Sequence, residues 1–242
     1  MKLNKIISAF AAVIIAVATA FGTPAAAAAN ESDGSGAGRV RVPLNLAVLI
    51  QDDVTQRVGN ELGRTREFIR RLPSGSRVMV GYVTAGSLQV RQSFTTDLED
   101  AARSLRLPVG NDAAAPFNPF VEVREALRKF PTDGRNVNAL LLVSDGLDVS
   151  RGINSSDILQ SVDLERAVRE AQRRGVAVYT FYAPTTLAAS SRRVATLGQG
   201  ALNRLTQETG GRAFFQGTDF VSFDPYFRDL SRTLNRQFAG AI

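Results

Sequence analysis

From residue 39 onward, the apolar positions of the chain follow two alternating patterns. Nearly continuous apolar runs, such as 44–50 and 139–143, predict strands that are covered on both faces of a sheet. Between such runs, apolar residues three and four positions apart predict helices, as in 58–72. The same criteria predict strands at 78–83, 176–182 and 213–215 and helices at 97–105, 121–130, 161–175, 202–209 and 224–238, with Ser161 and Asp224 as N-caps.

One predicted strand differs from the others. After the tight turn at 85–87, residues 88–94 alternate between apolar and polar side chains, which is typical of a half-exposed antiparallel edge strand. This strand would form a hairpin with 78–83. The order of elements therefore predicts an α/β fold, namely a doubly wound, mostly parallel open sheet with one antiparallel edge strand and helices on both faces.

The first 29 residues have the pattern of an export signal. Lys2 and Lys5 give a positive start, 6–20 is an uncharged apolar run, and small residues at 25–29 form a cleavage zone. An uncleaved membrane anchor is the alternative interpretation, because no charged residue occurs between Lys5 and Glu31. If the signal is removed, we expect a periplasmic or extracellular protein with no membrane span in the mature chain.

The segment 30–38 separates this signal from the folded part. It contains no apolar residue larger than Ala, so it cannot contribute to a core and is predicted to be a flexible linker. The remaining residues, 39–242, contain no repeat and no low-complexity tract. We therefore predict a signal peptide at 1–29, a linker at 30–38 and one folded domain at 39–242.

Composition excludes several kinds of chemistry. The 242 residues include no His and no Cys, which excludes Ser-His-Asp and Cys-His catalysis, zinc fingers and disulfides. The 29 Lys and Arg residues outnumber the 23 Asp and Glu residues, which gives a formal net charge of +6. These basic residues are scattered rather than gathered in a block, so we expect no nucleic-acid partner.

Acidic residues directly follow two of the apolar strands, at 51–55 and at 144–148. Open parallel sheets bind ligands at the carboxyl ends of their strands, where the strand order reverses. If the first and fourth strands are neighbours at that point, these two loops face each other. The sequence therefore predicts a candidate site at this edge of the sheet.

The chain resembles a von Willebrand factor type A domain, and in particular the exported bacterial proteins described as VWFA-related. The resemblance rests on the order of elements and on three segments of the sequence. These are Leu-Ala-Val-Leu-Ile-Gln-Asp-Asp-Val-Thr at 46–55, Phe-Asn-Pro-Phe at 117–120 and Leu-Leu-Val-Ser-Asp-Gly at 141–146. It covers nearly all of 39–242 and implies a domain for protein interaction, in adhesion or assembly, with no catalytic residues.

The resemblance also implies a metal ion dependent adhesion site, in a degenerate form. The family's Asp-x-Ser-x-Ser motif aligns with Gln51, Asp53 and Thr55, while Asn118 takes the place of the family's loop Thr and Asp145 matches its last Asp. Oxygen ligands of this kind suit Mg²⁺ or Ca²⁺. Because Gln51 lacks the charge of the family's leading Asp, we expect no bound cation or only a weakly bound one.

Simpler structural roles explain the same residues about as well. Asp53 and Thr55 precede a predicted helix, where such side chains commonly cap backbone N–H groups. Asp145 and Gly146 form a common turn signal after a strand, and Asn118 before Pro119 is also typical of a turn. Sequence alone does not choose between these roles and a ligand site.

An enzymatic alternative comes from a second resemblance, to haloacid dehalogenase-like, Mg-dependent phosphatases. Their Asp-x-Asp-x-Thr loop is similar to residues 51–55, and 144–148 is similar to their second acidic loop. Their nucleophile is the first Asp, which is Gln51 here, and an amide is a poor nucleophile for phosphoryl transfer. We therefore expect a non-enzymatic interaction domain, while the partner and the oligomeric state stay open.

Overall fold

The computed structural model describes residues 39–55, 57–110, 115–116, 118–152 and 161–239. These residues all belong to one compact unit, which spans Gly34–Ile242. The predicted signal peptide and linker, as well as Phe117, lie outside the described residues. Within the described ranges, no helix combines the length and apolar character needed to cross a lipid bilayer.

Six strands form one sheet in the order β3-β2-β1-β4-β5-β6. All neighbouring strands are parallel except β2 and β3, which form the predicted antiparallel hairpin. The fold class predicted from the sequence is therefore confirmed. The strands are β1 (Leu44–Gln51), β2 (Arg77–Thr84), β3 (Ser87–Thr95), β4 (Val137–Ser144), β5 (Val176–Tyr182) and β6 (Ala213–Phe214).

Helices cover both faces of this sheet, and each presents an apolar stripe to it. Alternation along β4 divides the core, since Leu141 and Val143 point to one face while Leu140 and Leu142 point to the other. The first face packs against α1, α2 and α7, and the second against α3, α4 and α6. The helices are α1 (Arg57–Arg70), α2 (Leu98–Arg103), α3 (Pro119–Leu127), α4 (Val162–Arg173), α5 (Thr186–Ser190), α6 (Arg192–Glu208) and α7 (Asp224–Gln237).

Two helix predictions were wrong in detail. Helix α6 begins at Arg192 rather than near 202, because glycines such as Gly198 weaken the helical signal of a segment that tertiary packing makes helical. Asp224 is the first helical residue of α7 rather than its cap. The backbone N–H of the residue before it, Phe223, donates to the Glu61 carboxylate at 2.9 Å, so α1 supplies this helix start with its acceptor.

Candidate functional site

The predicted site lies where the strand order changes direction, between β1 and β4. These strands pair in parallel, with Ile50 opposite Val143, so the loops that follow them begin side by side at the carboxyl end of the sheet. The loop after β1 also pairs with the loop after β5, since Val54 bridges to Thr185 and the Thr55 N–H donates to the Pro184 carbonyl at 3.1 Å. Three loops therefore meet at one edge of the sheet.

Gln51 connects two of these loops through its amide. Its Nε2 donates to Asp53 Oδ1 at 2.9 Å, and its Oε1 accepts hydrogen bonds from the Ser144 hydroxyl and from the Asp145 backbone N–H at 3.3 Å. The side chain is buried. A neutral amide thus links the loops after β1 and β4 by direct hydrogen bonds, and its oxygen is already occupied by two donors.

The Asp145 carboxylate accepts hydrogen bonds from two neutral donors, on Leu147 and Thr185. Its Oδ1 accepts from the Leu147 N–H at 3.0 Å and its Oδ2 from the Thr185 hydroxyl at 2.6 Å. Its residue exposure is 3%, and burial raises the pKa of the Asp145 carboxyl, although these hydrogen bonds act in the opposite direction. No ion pair joins it to a basic side chain of the described residues.

Thr185 is a site residue that the sequence analysis missed. Besides donating to Asp145, its hydroxyl oxygen accepts the Ala188 N–H at 3.2 Å and so caps the short helix α5. A signal was present in the sequence, because Pro184 and two threonines follow the apolar strand β5 with only Ala183 between them and the strand. Hydroxyl residues at that point belong to the same carboxyl edge as the two acidic loops.

Close backbone packing fixes the turn at Asp145. A Cβ atom on Gly198 of α6 would collide with the carbonyl oxygen of Asp145. Gly146, which has φ 74°, packs in turn against the Gly198 carbonyl and Leu202. Gly198 weakens the helical signal of α6 in the sequence, and it is also the residue that allows this helix to pack against the turn at Asp145.

Two of the four predicted metal ligands, Asn118 and Thr55, do not share the cavity that Asp53 and Asp145 line. Asn118 caps α3, because its Oδ1 accepts the Phe120 N–H at 3.1 Å, while its Nδ2 donates to Asp163 at 2.9 Å. The Thr55 hydroxyl is buried and has no hydrogen-bond partner. Neither residue lines the cavity described below.

The other two acidic residues of the loops point away from the site. Asp52 forms two hydrogen bonds of 2.7 Å with the Arg106 guanidinium, which stacks over the Tyr82 ring with its Cζ 4.0 Å from the ring centroid. Asp148 accepts from the hydroxyls of Ser150 and Ser161. Asp52 and Asp148 thus stabilise loops, as expected from the alternation of side chains around the turns.

A cavity of about 440 Å³ opens between the three loops. Gln51 and the carboxylates of Asp53 and Asp145 form its polar base. The other lining residues among those described carry hydroxyl or apolar side chains, and they are Thr185, Thr186, Ser190, Ala115, Pro116, Leu147, Val149 and Leu187. A concave site with mostly apolar walls and a few convergent polar groups is typical of ligand-binding sites.

The large apolar side chains that are exposed among the described residues lie at the same end of the sheet. Leu107, exposed by 67%, and Val109 belong to the segment that Asp52 holds, and the Val109 N–H donates to Asp52 at 3.0 Å. Val121 and Val162 lie in the first turns of α3 and α4. We call these four residues and the cavity the carboxyl-end surface.

The donor set at the base of the cavity fits a divalent cation poorly. The Gln51 amide directs an N–H toward Asp53, and an N–H group cannot coordinate a metal. Among the described residues, no group of three or more carboxylates could hold a metal ion. Weak or absent binding of Mg²⁺ or Ca²⁺ stays a prediction.

Comparison with solved structures identifies the fold. The chain aligns with an aerotolerance-related membrane protein from Bacteroides fragilis at a TM-score of 0.56 and 11% identity, covering 80% of this chain and 99% of the other. It aligns with the conserved hypothetical protein BatB from Bacteroides thetaiotaomicron at 0.54 and 12% identity, covering 81% and 99%. At these identities the similarity concerns the fold alone.

Other comparisons add little. The VWA domain of SpRpn10 aligns at a TM-score of 0.46 and 12% identity, over 81% of this chain and 95% of that domain, which is too low to carry weight. No family model matches the chain, and no curated protein sequence matches it. The strand order and the first two structural similarities support a von Willebrand factor type A-like fold, as the sequence resemblance predicts.

Proposed function

We propose that the protein is an exported, non-enzymatic interaction domain that binds a protein partner through its carboxyl-end surface. One observation carries this proposal, namely that Leu107, Val109, Val121 and Val162 are exposed at the end of the sheet that also holds the cavity. Isolated exposed apolar residues are common, but several of them at the end of the sheet that also holds a concave site are typical of a protein interface.

The arrangement of the base of the cavity supports a site of degenerate type that works without a bridging cation. In the family's adhesion site, a metal joins the loops after the first and fourth strands. Here the Gln51 amide makes that connection through Asp53, Ser144 and the Asp145 backbone. The partner would then bind through the shape and chemistry of the surface rather than through a metal.

The phosphatase alternative receives less support. Gln51 occupies the position of the nucleophile, is 2% exposed and uses both ends of its amide in hydrogen bonds. Such a side chain offers no electron pair for attack on phosphorus. Magnesium-dependent turnover of a generic phosphate ester that Asp53→Asn abolishes would favour the enzyme instead.

Site-specific photocrosslinking in intact cells of the native host tests the interaction directly. A photoreactive residue replaces Val109 or Val121 on the carboxyl-end surface, and Thr132 or Arg135 at the opposite end as matched controls, since all four positions are exposed. We expect the first pair to crosslink to one shared partner and the controls to yield none. Equal crosslinking from both ends, or none from either, would contradict the proposal.

Export is tested by the N-terminus of the native protein. Cleavage after the small-residue zone at 25–29 should leave a mature chain that begins near Asn30. N-terminal sequencing and cell fractionation together provide the measurement. Recovery of an intact Met1 in a membrane fraction would show that the first segment is retained as an anchor.

A further inference from the structure

The charge of the cavity is one-sided. Asp53 and Asp145 contribute two carboxylates to its lining, and the described lining residues include no Lys or Arg. Arg192 and Arg193 follow the lining residue Ser190 in the chain, but both are exposed and neither lines the cavity. An ionised carboxylate accepts hydrogen bonds, and those from a charged donor are stronger, so a negatively charged lining favours a cationic ligand.

Two other buried carboxylates of the molecule form ion pairs with arginine, whereas Asp145 forms none with the described residues. Asp52 has Arg106 as its partner at 2.7 Å, and Glu170 forms ion pairs with both Arg173 and Arg174. Asp145 is equally buried, yet its hydrogen bonds come from a backbone N–H and a hydroxyl. Burial of a carboxylate without a cation costs free energy, which a cation arriving from outside would offset.

Strand β5, which leads to the Thr185 loop, ends in a buried polar group. The Tyr182 hydroxyl is buried and makes no hydrogen bond. Burial raises the pKa of this phenol, and the negative charge of Asp145 raises it further. Tyr182 packs in the same apolar cluster as the lining residues Leu147 and Leu187.

The walls of the cavity fit the stem of a long basic side chain. Leu147, Val149 and Leu187 present apolar surface above the carboxylates. Lysine and arginine bury their methylene groups along such surfaces while their charged ends reach a polar group. The volume of about 440 Å³ lies in the range of about 300–1,000 Å³ that is usual for small ligand sites.

We propose that the cavity receives a lysine or arginine side chain of the partner protein, which forms an ion pair with Asp53 and Asp145. This rests on the proposed function and specifies the chemistry of its partner. A partner carboxylate, which a metal-loaded adhesion site would bind, would here approach two like charges with no metal between them. Like charges placed together at an interface repel each other, so that choice is disfavoured.

A peptide titration followed by nuclear magnetic resonance tests this proposal. The probes are the capped tripeptides Leu-Lys-Leu and Leu-Glu-Leu, added to the ¹⁵N-labelled chain in EDTA up to about 10 mM, which detects millimolar affinity. We expect the lysine peptide to shift the amide signals of Leu147 and Thr185 at concentrations about tenfold lower than any effect of the glutamate peptide.

Variants separate the cavity from general electrostatic attraction. Asp53→Asn, and Thr186→Lys on the exposed wall of the cavity, should each weaken the lysine peptide about tenfold or more. Asp133→Asn should leave its binding unchanged, because Asp133 lies at the opposite end of the sheet beside Arg77. Asp133→Asn removes the same charge as Asp53→Asn and is therefore its matched control.

Two results would overturn the proposal. In a second titration with Mg²⁺ in place of EDTA, binding of the glutamate peptide that does not occur in EDTA would show a metal bridge of the family's type. Absence of any shift at the cavity from the lysine peptide would exclude a basic ligand. If Val109 and Val121 still crosslink to a partner in that case, the interaction surface stands and only the assignment of its ligand fails.

Discussion

Asp52 and Asp145 are buried carboxylates at the same edge of one sheet, but they are stabilised in different ways. Asp52 has a cation, because Arg106 binds it with both terminal nitrogens. Asp145 accepts hydrogen bonds from neutral donors, including the Leu147 N–H and the Thr185 hydroxyl, forms no ion pair with a basic side chain of the described residues, and lines the cavity. Asp52 therefore belongs to a structural ion pair that is complete within the chain, whereas Asp145 belongs to a site that is open to a ligand.

The largest effect is expected from breaking the ion pair. Arg106→Ala leaves the Asp52 carboxylate, whose side chain is 2% exposed, without its cation, so the free energy of unfolding should fall by about 3–4 kcal/mol. Urea denaturation measures this change. Arg103→Ala is the control, because the Arg103 pair with Asp100 is exposed to solvent and should contribute little to stability.

A loss near that of Arg103→Ala would mean that Asp52 does not need its partner. The comparison between the two carboxylates would then lose its basis, since neither of them would depend on a cation for its place in the fold.

The next effect concerns how the Asp145 loop is held. Gly198→Ala forces a methyl group against the Asp145 carbonyl and should lower the free energy of unfolding by about 2–3 kcal/mol, although alanine favours helices. Gly63→Ala in α1 is the control, because nothing lies within 4 Å of the added Cβ. It should stabilise the protein by about 0.5–1 kcal/mol.

Equal stabilisation by both alanine variants in urea denaturation would show that α6 does not hold the turn at Asp145. The position of that carboxylate would then depend on its hydrogen bonds alone.

Glu122 provides a third buried carboxylate, again without a cation. Burial raises the pKa of the Glu122 carboxyl from its ordinary value of 4.5 to about 7, with smaller contributions from Glu125 and Asp163. The folded state therefore keeps a proton that the unfolded state releases. Stability should fall as pH rises from about 4.5 to about 7 and level off above that range.

Glu122→Gln should remove about 1–2 kcal/mol of this pH dependence, as measured by urea denaturation at several pH values. Glu208→Gln at the exposed end of α6 is the control and should keep the wild-type profile, because Glu208 is not among the groups that raise the pKa of Glu122. An unchanged profile in Glu122→Gln would show that this carboxylate is ionised throughout, despite its burial.

The sequence predicted the sheet well because burial on both faces imposes long apolar runs. Strands such as β1 and β4 have no other pattern available to them. Helix α6 was underestimated since Gly198 serves a contact with Asp145, which is distant in sequence and carries no local signal. The spacing of apolar residues predicts which side chains an element buries. A close backbone contact between two elements changes the sequence only by requiring a glycine, and a glycine alone does not reveal its partner.

The candidate site was predicted in part for the same reason. Gln51, Asp53 and Asp145 follow strands whose pairing places them together, and all three line the cavity. Asn118 follows no strand, and it caps a helix instead. Thr185 was missed because a hydroxyl after a strand is chemically inconspicuous until its hydrogen bond to Asp145 is known.

Binding of cations by the wild-type protein and by Gln51→Asp tests the central claim most directly. We propose that the Gln51 amide connects the loops after β1 and β4, as a metal does in the adhesion site of the von Willebrand factor type A family. Thermal melts should therefore show little stabilisation of the wild type by Mg²⁺ or Ca²⁺, while Gln51→Asp, which restores the family's charge, should gain some. Tight, saturable cation binding by the wild type that Asp145→Ala eliminates would contradict the account.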